Sequence, residues 1–159
     1  MTAPGTDTNV QIINRPLTLA LLSVAAFMVI LDASIVIVAI PDIEHDLGMS
    51  VSGVQWVISA YAATFGGLQL LGGRCADVLG RRAVFLLGTV LFASASLACG
   101  LAGTAAVLLI SRAVQGVSAA VMLPTALSIL LVLFPDGAER RKALGLWGAV
   151  GGVGGRQVR

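Results

Sequence analysis

The chain has 159 residues, of which 57% are apolar and only 11% charged, and its formal net charge is +2. Soluble domains carry about 25% charged residues, so this composition excludes a soluble globular domain and predicts an all-α integral membrane protein. Because the basic residues lie between apolar runs instead of along one face, the chain is not expected to bind nucleic acid, and the lipid bilayer is its expected surrounding.

The first apolar run follows a polar stretch, residues 1–15, which we predict to be a cytoplasmic tail. Residues 16–40 are long enough to cross a bilayer, and Pro41 is expected to end that helix. Residues 41–53 carry acidic side chains but no Lys or Arg, so we predict that they lie outside the cell.

The later apolar runs predict four further spans, the last of them incomplete. They cover about 54–71, 83–101, 104–134 and 143–155. We interpret 104–134 as one long helix in spite of Pro124, because no turn residues divide it. Residues 156–159 are an atypical tail, so we expect a truncated chain or a shifted reading frame.

A charged, glycine-punctuated segment, residues 72–82, separates two of these spans and is predicted to be a tight turn. It contains three arginines, and a second basic loop is predicted at 138–142. Short loops rich in Lys and Arg stay on the cytoplasmic side. The sequence therefore predicts a multi-pass protein of the cell membrane with a cytoplasmic N-terminus.

Reactive side chains are few. Cys75 and Cys99 flank one predicted span of roughly 30 Å, too far apart for a disulfide, so we predict free thiols. His45 is the only histidine and leaves no metal-ligand spacing. Because His45 is placed in an outer loop, it cannot activate an intramembrane serine nucleophile, and we expect no enzyme.

Two ionisable side chains, Asp32 and Arg112, lie within the predicted spans, where a charge must face the bundle interior or a wet cavity. Asp32 precedes the outer helix end at Ile40 by about 12 Å, and Arg112 follows the outer start near Ala105 by about 11 Å. We expect the two to meet if the first and fourth helices are neighbours. The pair is interpreted either as a proton-coupling site or as a fixed lock between helices. Gln115 either lines the same cavity or joins helices.

Three segments resemble motifs of the major facilitator superfamily of secondary transporters. Residues 73–82 are similar to its loop signature G-x-L-A-D-R-x-G-R-R, and residues 111–120 resemble its helix-four motif R-x-x-Q-G-x-G-A-A. Residues 31–41 resemble L-D-x-T-I-V-N-V-A-L-P of the fourteen-helix drug:proton antiporter branch. The chain departs from these patterns at Cys75, Val78, Ile37 and Ser118.

The resemblance implies a major facilitator-like helical bundle, of which this chain holds four helices and an incomplete fifth. It implies proton-coupled efflux of drugs or other small lipophilic compounds, with Asp32 and Arg112 coupling the proton and no other cofactor. A metabolite or sugar carrier is the alternative. The loop would act as a conformational latch through Gly73, Asp77, Gly80, Arg81 and Arg82. Because a second, C-terminal bundle is missing, we expect the chain alone to be inactive.

Overall fold

The structure is a computed structural model that describes residues 14–135 and 137–153. The described helices are α1 (Arg15–Leu47), α2 (Val51–Leu79), α3 (Arg81–Gly100), α4 (Ala105–Leu133) and α5 (Gly137–Val153). No strand occurs in these ranges, which confirms the predicted all-α fold class. The predicted tail at 156–159 and nearly all of the tail at 1–15 lie outside the described residues.

Helix α1 continues past Pro41, so the prediction that this proline ends the first helix is wrong. A proline removes one backbone donor. Membrane helices tolerate that loss because neighbouring groups and small backbone adjustments can satisfy the carbonyl left without a partner. The helix ends instead at Gly48, whose φ of 58° lies in the left-handed region. Its neighbour Met49 donates a backbone hydrogen bond to the Glu44 carbonyl at 3.2 Å, which closes the helix end.

The junction between α2 and α3 is much shorter than the predicted turn at 72–82. Helix α2 runs to Leu79 and α3 begins at Arg81, so Gly80 alone breaks the helical path. Its φ of 90° is a conformation that residues with a Cβ rarely adopt. The prediction of an eleven-residue turn is therefore wrong, because a single glycine reverses the chain and the preceding residues extend the helix.

The second predicted loop, residues 138–142, also belongs to a helix, because α5 begins at Gly137. Glu139 lies in its first turn, where a carboxylate interacts favourably with the positive end of the helix dipole. The Arg140 guanidinium donates to the Pro135 carbonyl at 3.1 Å and so ties the start of α5 to the end of α4. The basic cluster thus extends from a helix surface.

Helix α4 forms the centre of the bundle, packing along α2 and α3, while α1 packs chiefly against α5 and more lightly against α4. Two glycines allow the close approach of α2 and α4. A Cβ on Gly72 would collide with the Ala120 carbonyl, and a Cβ on Gly116 would collide with Thr64 and the Tyr61 carbonyl. Small residues at helix contacts are typical of membrane bundles, where close packing holds helices together.

Three of the described helices, α1, α3 and α4, are long and apolar enough to cross a membrane. Helix α2 has 29 residues and sufficient length, but it is not among the helices that are apolar enough to cross. Large apolar side chains are exposed on the outer faces, among them Leu87 on α3 and Ile110 on α4, which suits contact with lipid. The limits of the individual spans stay predictions.

Candidate functional site

Asp32 on α1 and Arg112 on α4 form a buried ion pair. The Arg112 Nη1 atom lies 2.6 Å from Asp32 Oδ2, and the two side chains are only 3% and 10% exposed for Arg112 and Asp32 respectively. The two charges meet, as we expected for the case in which the first and fourth helices are neighbours. Two opposite charges removed from solvent hold each other in place, since either one alone would be costly in this environment.

Gln115 completes the pair into a triangle. Its Nε2 amide donates to Asp32 Oδ1 at 2.7 Å, and its Oε1 atom accepts from Arg112 Nη1 at 2.9 Å. Gln115 follows Arg112 by three residues and therefore shares its helix face. The amide is fully buried, and its donor side faces the anion while its acceptor side faces the cation. This is the orientation that electrostatics favours.

Helix α3 contributes two residues that the sequence did not indicate. Ser96 Oγ accepts from Gln115 Nε2 at 3.1 Å and donates to Asp32 Oδ1 at 3.4 Å. The Cys99 thiol donates to Gln115 Oε1 at 3.2 Å. The two lie three residues apart on α3 and so on one face. That spacing was the available signal, but serine and cysteine are common in membrane helices without any site.

Tyr61 on α2 covers the other side of the guanidinium. The Arg112 Cζ atom lies 4.4 Å from the centre of the Tyr61 ring, a cation–π contact. The ring also stacks on Phe65, with centroids 5.9 Å apart. Tyr61 is itself buried against the ion pair. The close approach at Gly116 permits this arrangement because it brings the α2 backbone against α4.

The site therefore collects groups from four helices around one carboxylate. Arg112 satisfies one carboxylate oxygen, and Gln115 and Ser96 satisfy the other. The Arg112 Nε atom is buried and has no hydrogen-bond partner among the described residues. If Asp32 took up a proton, the guanidinium would lose its counter-charge in a buried setting, which favours a rearrangement of the helices that hold it.

The predicted latch residues are not part of this site. They lie around the α2–α3 junction, about fifteen residues or roughly 22 Å along α3 from Ser96. Arg81 Nη2 lies 3.6 Å from Asp77 Oδ1, and both side chains are substantially exposed. Arg82 is exposed, and Gly73 has open space where a Cβ would stand. Together with Gly80 they form a charged surface segment.

The two thiols are free, as predicted. Cys75 is exposed on α2, whereas Cys99 is half-buried beside the ion pair. Within the described part of the chain, no three His, Cys, Asp or Glu side chains come together as ligands for a metal ion.

A protein-family model described as the Major Facilitator Superfamily matches residues 22–155, a range that includes the whole ion-pair site. The chain belongs to the Major Facilitator Superfamily. This membership, with three helices able to cross a membrane, makes it a multi-pass membrane protein of a transporter family and not of an enzyme family. The helical bundle described above fits that assignment.

Several relatives of this Major Facilitator chain are named as resistance or export proteins. It is 47% identical over 136 residues to the puromycin resistance protein of Streptomyces alboniger, covering 86% of this chain and 27% of the relative. It is 44% identical over 137 residues to the cephamycin export protein of Amycolatopsis lactamdurans, covering 86% and 28%. A multidrug resistance protein of Mycobacterium tuberculosis is 38% identical over 138 residues, covering 87% and 26%. The chain thus spans about a quarter of the length of these curated relatives.

Proposed function

We propose that this chain forms the first helices of a proton-coupled exporter of drugs or other small lipophilic compounds. The observation that carries the proposal is the buried ion pair between Asp32 and Arg112, at 2.6 Å and 10% and 3% exposed. Ionisable residues inside membrane bundles commonly mark proton or substrate pathways. The names of the relatives, which include puromycin resistance and cephamycin export, support efflux as the direction of transport.

In this proposal Asp32 is the group that exchanges the proton. As a carboxylate it holds Arg112 and Gln115, and so joins α1 to α4. Once protonated, it no longer balances the guanidinium charge, and Arg112 keeps only Gln115 and the Tyr61 ring. The two protonation states therefore favour different arrangements of α1 against α4. A carrier needs such a bias to alternate between inward-open and outward-open forms.

Four further features complete the proposal. The protein is placed in the cell membrane with a cytoplasmic N-terminus, as the distribution of basic residues indicates. A second helical bundle partners this one to enclose the substrate path. The segment with Asp77 and Arg81 acts as a latch between the bundles, since its exposed ion pair can exchange partners at low cost. The proton is the only coupling species required, without another cofactor.

A chimera tests the proposal, because this chain matches about a quarter of each relative. Residues 22–155 would replace the matched segment of the puromycin resistance protein, and the chimera would be expressed in a puromycin-sensitive host. We expect resistance from the chimera and its loss on Asp32→Asn. The matched control is Asp42→Asn, an exposed acid on the same helix, which should retain resistance.

Three results would contradict the proposal. If Asp32→Asn protected the host as well as the unchanged chimera, at equal amounts of protein in the membrane, Asp32 would not carry the coupling proton. Uptake of puromycin in place of efflux would reject export. If a membrane-impermeant thiol reagent added outside intact cells labelled Cys75, near the α2–α3 junction, the proposed topology would be rejected.

A further inference from the structure

The Ser96 hydroxyl bonds differently from several other hydroxyl side chains of the bundle. Helical serine and threonine hydroxyls ordinarily donate to the backbone carbonyl four residues earlier. Ser34, Ser94 and Ser118 do so, at 2.7 to 3.0 Å. The Ser96 hydroxyl instead points across to α1 and donates to Asp32 Oδ1 at 3.4 Å. Its ordinary acceptor, the carbonyl of Phe92, remains the alternative within the same helix.

The geometry leaves the Ser96 oxygen with spare acceptor capacity. A hydroxyl has one donor hydrogen and two acceptor lone pairs. One lone pair accepts from Gln115 Nε2 at 3.1 Å, which leaves the second lone pair free on an atom next to Asp32 Oδ1. The same oxygen can therefore receive a hydrogen bond from Asp32 as soon as that carboxyl carries a proton.

We propose that Ser96 is a positioning residue for proton exchange at Asp32, acting as a hydroxyl that reverses its hydrogen bond with the carboxyl. With Asp32 ionised, Ser96 donates to Oδ1. When a hydronium ion gives up its proton, an O–H bond forms at Oδ1 and water leaves; the Ser96 hydrogen then turns toward the Phe92 carbonyl and its oxygen accepts. This inference rests on the proposed function and assigns a second residue to the same site.

The other groups that face Asp32 cannot take this part. Arg112 on α4 is a donor only, and Gln115 presents its amide nitrogen to Oδ1, also a donor. On α2, Tyr61 is in contact with the guanidinium, and on α3 the Cys99 thiol is bonded to Gln115 Oε1. The charged side chains of α5 lie near the other end of α1, where Glu139 is paired with Arg15, about 25 Å along the helix from Asp32.

The proposal fixes the direction in which a mutation must act. The bond from Ser96 to the carboxylate is long, at 3.4 Å, and therefore weak. The bond from a protonated Asp32 to Ser96 would satisfy the buried O–H at Oδ1. Ser96→Ala therefore disfavours the protonated form more than the ionised form. At a given pH, the protonated-carboxyl band of Asp32 should be weaker in Ser96→Ala than in the unchanged chain.

The test is an infrared titration of the 159-residue chain in lipid nanodiscs. The protonated-carboxyl band of Asp32 is assigned by its disappearance in Asp32→Asn, and its height is followed against pH in each variant. We expect a lower midpoint in Ser96→Ala, a smaller fall in Ser96→Cys, and the original midpoint in Ser96→Thr, which keeps the hydroxyl. Ser94→Ala, two residues away on the exposed face of α3, should leave the midpoint unchanged.

A midpoint that rises in Ser96→Ala would overturn the proposal, because it would show that Ser96 only donates to the carboxylate. An unchanged midpoint in both Ser96→Ala and Ser96→Cys would overturn it as well. Should Ser96→Ala fail to fold, the Cys and Thr variants decide in the same way. The titration needs no transport, so its outcome is separate from that of the resistance experiment. The assignment of Ser96 can hold while the transport proposal fails, and the transport proposal can hold while the assignment of Ser96 fails.

Discussion

Asp32 and Arg112 join two helices that otherwise touch lightly, through a contact of 2.6 Å between Oδ2 and Nη1. The two residues are in direct contact although they lie eighty residues apart in the sequence. It is the point where α1 is held by polar groups of α3 and α4 at once. The stability of the bundle and its proposed chemistry therefore depend on the same atoms.

Removing one partner of the ion pair should cost more than removing both. Arg112→Met leaves a buried carboxylate unpaired, so we expect the free energy of unfolding to fall by about 3–5 kcal/mol. The double variant Asp32→Asn with Arg112→Met should fall less. Loss of helical circular dichroism during titration with SDS measures both. Glu139→Gln, which breaks the exposed pair with Arg15, should change stability by less than about 1 kcal/mol. An equal loss in the single and double variants would contradict this account.

The Tyr61 ring should stabilise the guanidinium through its face and not through its hydroxyl. Tyr61→Phe keeps the ring over Arg112 and should be nearly neutral, whereas Tyr61→Leu should cost about 1–2 kcal/mol beyond the loss of packing. The same denaturation measurement applies. The cation–π contribution is isolated by repeating both substitutions with Arg112→Met, where the difference between Phe and Leu should shrink. A difference of the same size in that background would show that only packing matters.

Neighbouring glycines on α2 provide a matched test of the α2–α4 approach. A Cβ on Gly72 would meet the Ala120 backbone, while one on Gly73 would meet nothing within 4 Å. Gly72→Ala should therefore destabilise by about 1–3 kcal/mol through overpacking. Gly73→Ala should be neutral or stabilise by up to about 1 kcal/mol, because alanine favours a helix. Similar effects of the two substitutions on unfolding in SDS would mean that α2 and α4 are farther apart.

The junction at Gly80 should depend on its positive φ. With φ at 90° and nothing within 4 Å of where an alanine methyl group would stand, Gly80→Ala would be strained by its backbone and not by a collision. We expect a loss of about 1–3 kcal/mol in the free energy of unfolding. Gly103→Ala, at a position that also has open space but no positive φ, is the control and should have little effect. If Gly80→Ala were harmless, the junction would adopt another conformation.

The sequence predicted the meeting of Asp32 and Arg112 because depth in a membrane helix can be counted. Each residue adds about 1.5 Å, so two charges placed from the same face of the membrane can be compared directly. Counting does not give the rotation of a helix about its axis. Ser96, Cys99 and Tyr61 were therefore missed as neighbours of the pair, since their part in the site depends on which faces of α2 and α3 turn toward α4.

Two helix ends were predicted wrongly. Pro41 and the glycines at 72 and 73 were interpreted as helix breaks, but all three lie inside helices. A long helix tolerates a missing backbone donor or a glycine when neighbouring helices pack closely against it. The actual ends are at Gly48 and Gly80, where a positive φ is required. A positive φ is a property of the backbone path, and the sequence shows only which residues permit it.

Proton release on substrate binding tests the central claim most directly. Puromycin would be added to the purified chimera, which carries residues 22–155 of this chain, in weakly buffered detergent solution with a pH indicator. The account predicts proton release from the unchanged chimera and from Asp42→Asn, and none from Asp32→Asn. Equal release from Asp32→Asn, with puromycin binding intact, would contradict the assignment of Asp32 as the proton-exchanging group.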